Sequence, residues 1–346
     1  MGSYYYNLNK LLSLKDINGR EPEIRFLFGN KTAGKTFSVK LYNIRRFARY
    51  GEKFVLFVRY KTDLPSKIRS FFDKDVGPLK FPGHTMSQKS LMGGFAQEIF
   101  YDGRPAGYII AINDVDRVKD NSAMFSDAVR WMWDEVIPES GRYCPDEIQK
   151  FNSIRIAIAR GGKDGTHARP FPGFMISNNV TRFNPYFDEF GITTRIQPRT
   201  KFLRGDGWVL EQTHNQAAAE ELRANFHTIS EKELAYATQN EYMLDSNTFM
   251  EKVPGQKSCL CVIRYHKKNY SVWGRIGNGL WLVSSKLKAN SRFIMTTELT
   301  DHEPGTVLLG TADLPYKMLR KAFNEGRVRF DTGSAKHAFL STLSML

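Results

Sequence analysis

Gly29, Gly34, Lys35 and Thr36 stand at the spacing G-x-x-x-x-G-K-[ST], inside the run Phe-Leu-Phe-Gly-Asn-Lys-Thr-Ala-Gly-Lys-Thr. Residues of these types at this spacing can hold a triphosphate. The main chain from Gly29 through Asn30, Lys31, Thr32 and Ala33 to Gly34 turns its N–H groups inward as a nest for phosphate oxygens, and a helix N-terminus adds partial positive charge. Lys35 then reaches the β- and γ-phosphates, and the Thr36 hydroxyl ligates Mg²⁺. Such a loop must leave a strand and open a helix. Ile24 to Phe28 is short, apolar and aromatic, as a buried strand is, and Phe37, Leu41, Ile44 and Ala48 form one helical face.

Asp134 and Glu135 supply the second half of the chemistry. They end the apolar run Val-Arg-Trp-Met-Trp. An aspartate at such a strand end can hold Mg²⁺ opposite the threonine of a phosphate loop, and a glutamate after it can polarise the water that attacks the γ-phosphate. The doublet points to an ATPase that activates water, and away from a small-molecule kinase, where that glutamate has no task. Asn178, after the apolar run Pro172–Ile176, either senses the γ-phosphate or is a polar strand terminus. An arginine is often needed to neutralise the transferring group, in cis or from a neighbouring subunit. Arg160 is preferred over Arg155 because it leads into Gly161 and Gly162 at an expected helix end; a helix-capping or DNA-phosphate role is the alternative. Lys61 is a weaker candidate for the same neighbourhood.

The elements that must position these groups alternate. Further strands are expected at 53–58, 107–112, 129–133 and 172–176, with helical patterns between, such as 146–160. That alternation predicts an α/β domain with a mostly parallel sheet, whose ligands sit beyond the C-terminal strand ends. Gly29, Asp134 and Asn178 all fall at such ends.

The chain has 346 residues and a net charge of +14, which suits a polyanionic partner, nucleic acid first. Residues 246–346 carry fifteen Lys and Arg against seven Asp and Glu, a net of +8 in the last third. No apolar run approaches the roughly 20 residues of a membrane span, and the first residues have no apolar signal core. Three cysteines form no C-x-x-C pair, and seven histidines show no metal-ligand spacing.

The phosphate loop, Trp-Met-Trp-Asp-Glu, Ile-Ala-Arg and the stretch from Ser177 to Ile192 (Ser-Asn-Asn-Val-Thr-Arg-Phe-Asn-Pro-Tyr-Phe-Asp-Glu-Phe-Gly-Ile) together resemble the DNA-packaging ATPases of small short-tailed phages of the Picovirinae type, relatives of large terminase subunits. The resemblance implies a P-loop fold of the additional-strand, catalytic-glutamate (ASCE) type, with ATP and Mg²⁺ as cofactors. It also implies a homo-oligomeric ring, a pentamer, at the procapsid portal or connector, translocating double-stranded DNA; a packaging RNA is a partner in some members. The expected location is the host cytoplasm, transiently at the portal vertex, and not the mature virion.

On this reading residues 1–204 form the ATPase domain, 205–245 a helical linker or lid, and 246–346 a smaller α+β domain. Three strands in succession at 259–264, 270–273 and 280–283, a fourth at 292–295, and helical patterns at 312–324 and 334–343 suggest a ribonuclease-H-like fold. A two-metal nuclease needs carboxylates on adjacent strand ends. Here the first strand carries Cys, Val and Ile, and Asp301, Glu303, Asp313 and Asp331 fall outside that pattern, so a vestigial nuclease that holds nucleic acid is expected. The alternatives are a cellular ring ATPase, such as a helicase or remodeller, and a non-enzymatic nucleic-acid-binding protein with a decayed nucleotide site.

Overall fold

The computed structural model describes residues 6–343 other than 32, 65–68, 92, 161–167, 194, 198, 229, 239–241, 243, 244, 246–248, 252, 254, 256, 276–278, 290 and 292. Thr32, Gly161, Gly162 and Arg292 therefore lie outside the described residues. The chain divides into two compact units, residues 1–181 with 195–243, and residues 182–194 with 244–346.

The first unit is built on a nine-stranded sheet. Its strands are β1 (Ile24–Gly29), β2 (Lys53–Val58), β3 (Met86–Leu91), β4 (Ala96–Tyr101), β5 (Arg104–Ala111), β6 (Ala128–Trp133), β7 (Gly173–Asn178), β8 (Phe202–Gly205) and β9 (Trp208–Thr213). They lie in the order β3-β4-β5-β2-β6-β7-β1-β9-β8. From β5 to β9 every pairing is parallel; β3–β4–β5 and β8–β9 are antiparallel margins. The helices are α1 (Asn9–Ser13), α2 (Lys35–Tyr50), α3 (Val76–Lys80), α4 (Val115–Asp120), α5 (Glu147–Arg160), α7 (Gln216–Asn225) and α8 (Glu231–Thr238), with α6 (Pro185–Glu189) in the second unit.

The central strands read as continuous apolar runs because both faces are covered. Leu27, Leu56, Met132 and Ile176 pack with Val39, Ile44 and Phe47 of α2. On the other face Phe57, Trp131 and Trp133 surround Phe151 of α5, with ring centroids 5.4, 5.1 and 5.2 Å away. Strand β7 extends two residues beyond the expected run, so Ser177 and Asn178 lie within it. The segment expected to be a linker from residue 205 begins inside the β8–β9 hairpin, and β9 lies beside β1. The polar end of β9, Glu211, Gln212 and Thr213, is buried, and Tyr6 donates its hydroxyl to Glu211.

The second unit has a six-stranded sheet in the order β14-β13-β10-β11-β12-β15. Its strands are β10 (Lys257–Tyr265), β11 (Lys268–Arg275), β12 (Trp281–Ser284), β13 (Ile294–Thr296), β14 (Thr306–Leu308) and β15 (Val328–Phe330). The first three form an antiparallel meander, and β13 runs parallel to β10 on its far side, which fits a ribonuclease-H-like core. Helices α9 (Leu314–Asn324) and α10 (Gly333–Thr342) pack Leu319, Ala338 and Phe339 onto Ile263, Val272 and Phe330. The acids noted in the sequence are dispersed. Asp301 accepts the His266 and Lys267 N–H groups of the β10–β11 turn at 2.6 and 2.8 Å, where both residues have positive φ. Glu303 pairs with Arg264, Asp313 accepts Gly310 N at 2.7 Å, and Asp331 accepts Ser285 N at 3.2 Å.

One buried titratable group belongs to this second core. The His337 ring stacks on Phe183 at 5.8 Å and lies 3.6 Å from Asp188 Oδ2. Burial pushes its pKa below the ordinary value, against the pull of Asp188 and Asp245 and together with the repulsion of His266.

At Gly173 an added Cβ would sit 2.1 Å from the Trp131 ring, so Gly173→Val is expected to cost roughly 2–3 kcal/mol in urea unfolding followed by tryptophan fluorescence. Gly141→Ala, with φ +68° and nothing within 4 Å of the new carbon, should cost only about 1 kcal/mol. Because folded His337 binds its proton more weakly than the unfolded chain does, stability falls as pH drops below about 6.5. His337→Phe should flatten the unfolding midpoint between about pH 7 and pH 5.

Candidate active site

The site begins where β1 ends. Gly29 lies opposite Asn178 of β7 and Thr213 of β9. Its φ is +152°, and a Cβ there would meet Thr213 O at 2.3 Å, so only glycine lets the chain leave the sheet at this point. Asn30 is fully buried and its Oδ1 accepts Asn215 N at 3.3 Å. Ala33 is buried and Lys31 half-buried. Gly34, with φ +74°, caps α2 in the left-handed region.

Lys35 and Thr36 open α2. The buried Lys35 Nζ donates to Gly29 O at 3.0 Å, Asn30 O at 2.6 Å and Asn178 Oδ1 at 3.2 Å. Burial pushes its ammonium down to about 8, against the attraction of Asp134. Thr36 Oγ1 donates to Asp134 Oδ1 at 3.0 Å, and Glu135 N donates to the same oxygen at 3.0 Å. Burial raises the Asp134 pKa above the usual carboxylate range; the charge of Lys40, the Thr36 hydroxyl, the Glu135 N–H and the charge of Lys35 oppose it. Lys35, Thr36, Asp134, Glu135 and Asn178 line one cavity of about 290 Å³.

This arrangement fits a magnesium triphosphate. The Thr36 and Asp134 oxygens are separated by 3.0 Å, close to the edge of an octahedron of oxygens about 2.1 Å from Mg²⁺. An ion here would be held by one hydroxyl, one carboxylate, phosphates and water.

Other expected residues fall elsewhere. Arg160 is exposed at the last position of α5. Next to it, Ala159 O accepts Arg169 N at 3.1 Å, and Arg169 Nη2 donates to Ser126 O at 2.7 Å, just before β6 begins. Arg160 thus stands at the sheet edge opposite Asp134, away from the phosphate loop of its own chain. Arg155 pairs with Glu23 at 3.2 Å and lies over the Trp131 ring at 5.3 Å, a structural setting. Lys61 is half-buried, and its N–H donates to Asn113 Oδ1 at 3.1 Å.

The structure adds residues that spacing had not singled out. Lys40, one turn beyond Thr36, pairs with Asp75 at 2.9 Å; its i+4 position was the available signal. Lys31 pairs with Glu139 at 2.6 Å and lies 5.2 Å from the Tyr236 ring, while Tyr236 OH donates to Glu139 at 2.9 Å. The nearest two of these three, Glu139 and Tyr236, are 97 positions apart, and no local pattern joins them.

A sequence profile of the podovirus DNA encapsidation protein (Gp16) family matches residues 1–340. The DNA packaging protein of Bacillus phage PZA is 25% identical over 335 residues, covering 95% of this chain and 94% of that protein. The DNA packaging protein of Bacillus phage phi29 has the same identity and coverage, 25% over 335 residues with 95% and 94%. Among solved structures, the bacteriophage Phi-29 viral genome packaging motor assembly contains a chain that superposes with a TM-score of 0.69 at 23% identity, covering 99% of each chain. The Phi-28 gp11 DNA packaging motor gives 0.65 at 17% identity, covering 100% and 99%. At these identities the structures establish the shared fold.

Calorimetric titration with a non-hydrolysable ATP analogue tests the site. Lys35→Ala should weaken binding at least about tenfold, since hydrogen bonds to charged groups contribute roughly 1.5–3 kcal/mol. Thr36→Val should leave binding in EDTA unchanged and abolish the gain that Mg²⁺ gives the wild type. Equal Mg²⁺ enhancement in both proteins would remove Thr36 from the metal site.

Proposed function

Because the chain belongs to the podovirus DNA encapsidation protein family, we propose that it is an ATP-hydrolysing motor that drives double-stranded DNA into a procapsid. The observation that carries this reading is the meeting of Lys35, Thr36, Asp134 and Glu135 around one cavity at the C-terminal edge of a parallel sheet. The packaging names of the similar phage proteins support the substrate.

In this reading Lys35 leaves the loop carbonyls and Asn178 for the β- and γ-phosphate oxygens, and Asn178, released from it, registers the γ-phosphate. Thr36 and Asp134 would hold Mg²⁺, which when bound would supply charge neutralisation to the phosphates. Glu135 takes a proton from the attacking water. Arg160, remote from its own site, serves the neighbouring subunit of a homo-oligomeric ring, a pentamer, seated on the portal or connector. The proposed partners of that assembly include a packaging RNA. The ring works in the host cytoplasm, transiently at the portal vertex, and is absent from the mature virion. The first unit, residues 1–181 with 195–243, hydrolyses ATP, and its helices α7 and α8 act as a lid whose shift follows phosphate release. The basic domain from 246 holds nucleic acid without cutting it. DNA contacts are to phosphates, so sequence preference is slight and salt dependence steep.

Two measurements test the reading. Glu135→Gln should retain nucleotide binding and lose DNA-stimulated turnover by about 10²- to 10³-fold, the scale of a general base; an unchanged rate would remove Glu135 as water activator. Mixing inactive Arg160→Ala with inactive Lys35→Ala subunits should restore part of the activity, because one mixed interface pairs an intact arginine with an intact phosphate loop. Mixtures as inactive as their components would place the arginine function elsewhere.

A further inference from the structure

The cavity lined by Lys35, Thr36, Asp134 and Glu135 has a third carboxylate, Asp75. It comes from outside the two motifs, on the connection between β2 and β3. Apolar packing on either side in the chain fixes its place. Phe71 and Phe72 are buried, Phe71 stacked on Phe54 at 5.8 Å and Phe72 edge-on to Tyr101 at 6.3 Å. Val76, at the start of α3, is fully buried. Gly77 follows against Phe72, where an added Cβ would sit 2.7 Å from the ring. Between these anchors Asp75, its side chain 35% exposed, lines the cavity.

Two interactions orient the carboxylate. Oδ1 accepts the Val76 N–H, and Oδ2 pairs with Lys40 Nζ at 2.9 Å. Lys40 is four residues beyond Thr36 on α2, hence on the same helix face. The pair therefore ties the connection to the side of α2 from which Thr36 reaches Asp134. Lys40 Nζ is itself steadied over the Phe71 ring at 5.5 Å. A carboxylate oxygen can accept two hydrogen bonds, so each Asp75 oxygen has capacity beyond these partners.

Phosphates repel a carboxylate, so a cavity built for a bare triphosphate would exclude one. Lys40 offsets part of that charge. The rest is balanced if the occupant brings a divalent cation. Mg²⁺ dehydrates reluctantly and usually keeps several waters beside one or two carboxylates. Groups that accept hydrogen bonds from the metal's ligands orient them and tune the site. Thr36 and Asp134 offer the direct ligands, Glu135 has the attacking water as its proposed task, and Asp75 is the remaining carboxylate of this cavity.

We propose that Asp75, held by Lys40, is a positioning residue for the metal of the nucleotide: its carboxylate accepts hydrogen bonds from water on the Mg²⁺ that Thr36 and Asp134 would hold. The inference rests on the assignment of Thr36 and Asp134 to the metal under the proposed function.

The test uses the full chain and its affinity for a fluorescent non-hydrolysable ATP analogue, measured in EDTA, in Mg²⁺ and in Ca²⁺. In Asp75→Asn the ratio of Mg²⁺ to EDTA affinity should fall at least about tenfold, the lower end of the loss when a group behind a metal ligand is removed. Affinity in EDTA should not weaken, because one charge that repels the phosphates is gone. The loss in Ca²⁺ should be smaller, since Ca²⁺ takes more oxygens directly. Asp75→Glu, which keeps the charge, should retain more of the ratio than Asp75→Asn. An unchanged ratio in Asp75→Asn, equal losses with the two metals, or no advantage of Asp75→Glu would overturn the inference. Failure of both variants to fold would also overturn it, assigning Asp75 to the cap of α3. Thr36→Val separates the inference from its premise. If Thr36→Val keeps the full Mg²⁺ gain, the metal assignment itself falls; if it loses the gain while Asp75→Asn keeps it, only the role of Asp75 falls.

Discussion

Three strands meet at Gly29, and the groups proposed to handle phosphate take their places from that meeting. Strand β1 runs between β7 and β9 with Gly29 in register with Asn178 and Thr213. Thr213 O stands where a Cβ would project, so the last residue of β1 can have no side chain while β9 stays paired. Once the chain turns there, the Gly29 and Asn30 carbonyls face the Lys35 ammonium, and the register with β7 brings Asn178 to the same nitrogen. A slip of one residue in either pairing would carry Asn178 or Thr213 to the other face of the sheet.

The turn from Gly29 to Thr36 and the acid doublet at the end of β6 were legible because each is local in the sequence. Gly29, Gly34, Lys35 and Thr36 lie within eight positions of one another, and Asp134 and Glu135 are adjacent. The apolar strands beneath them could be read because a sheet covered on both faces leaves uninterrupted runs. Strand β9 could not be read so easily, since its last residues, Glu211, Gln212 and Thr213, are polar yet buried; tertiary partners such as Tyr6, 205 residues away, make that burial tolerable. Strands β3 and β4 carry mixed faces, and β14 and β15 span only three residues each, too short for a period to register. The same limit applied to Arg59 and Glu147, 88 positions apart, and to Lys31 and Tyr236: each pairing is a product of the fold.

The site balances opposite charges at short range in a partly desolvated space. Lys40 is matched by Asp75, Arg59 by Glu147 and Lys31 by Glu139, while Lys35 and Asp134 remain close to one another without a direct bond between them being needed. Burial alone moves both toward neutrality, the ammonium down to about 8 and the carboxyl upward. In the proposed complex the phosphates at the lysine and the metal at the carboxylate would each favour the charged form that burial opposes. Part of the free energy of the proposed nucleotide binding would then come from the relief of two desolvated groups.

Helix α5 turns this local arrangement into a mechanical one. Glu147, in its first turn, is bound to Arg59 and through it to the main chain of Glu135. Arg160, at its last position, is exposed at the opposite edge of the sheet. The helix has 14 residues, about 20 Å at 1.5 Å per residue, and Phe151 locks its middle among Phe57, Trp131 and Trp133. A rod held in this way cannot bend to absorb a displacement at one end. If Glu135 activates water and Arg160 serves the next subunit, then the main chain at Glu135 and the arginine that completes the neighbouring site are both tied to one helix. Ordered firing around a ring would then require no separate relay, only that rod and the close packing that keeps it straight.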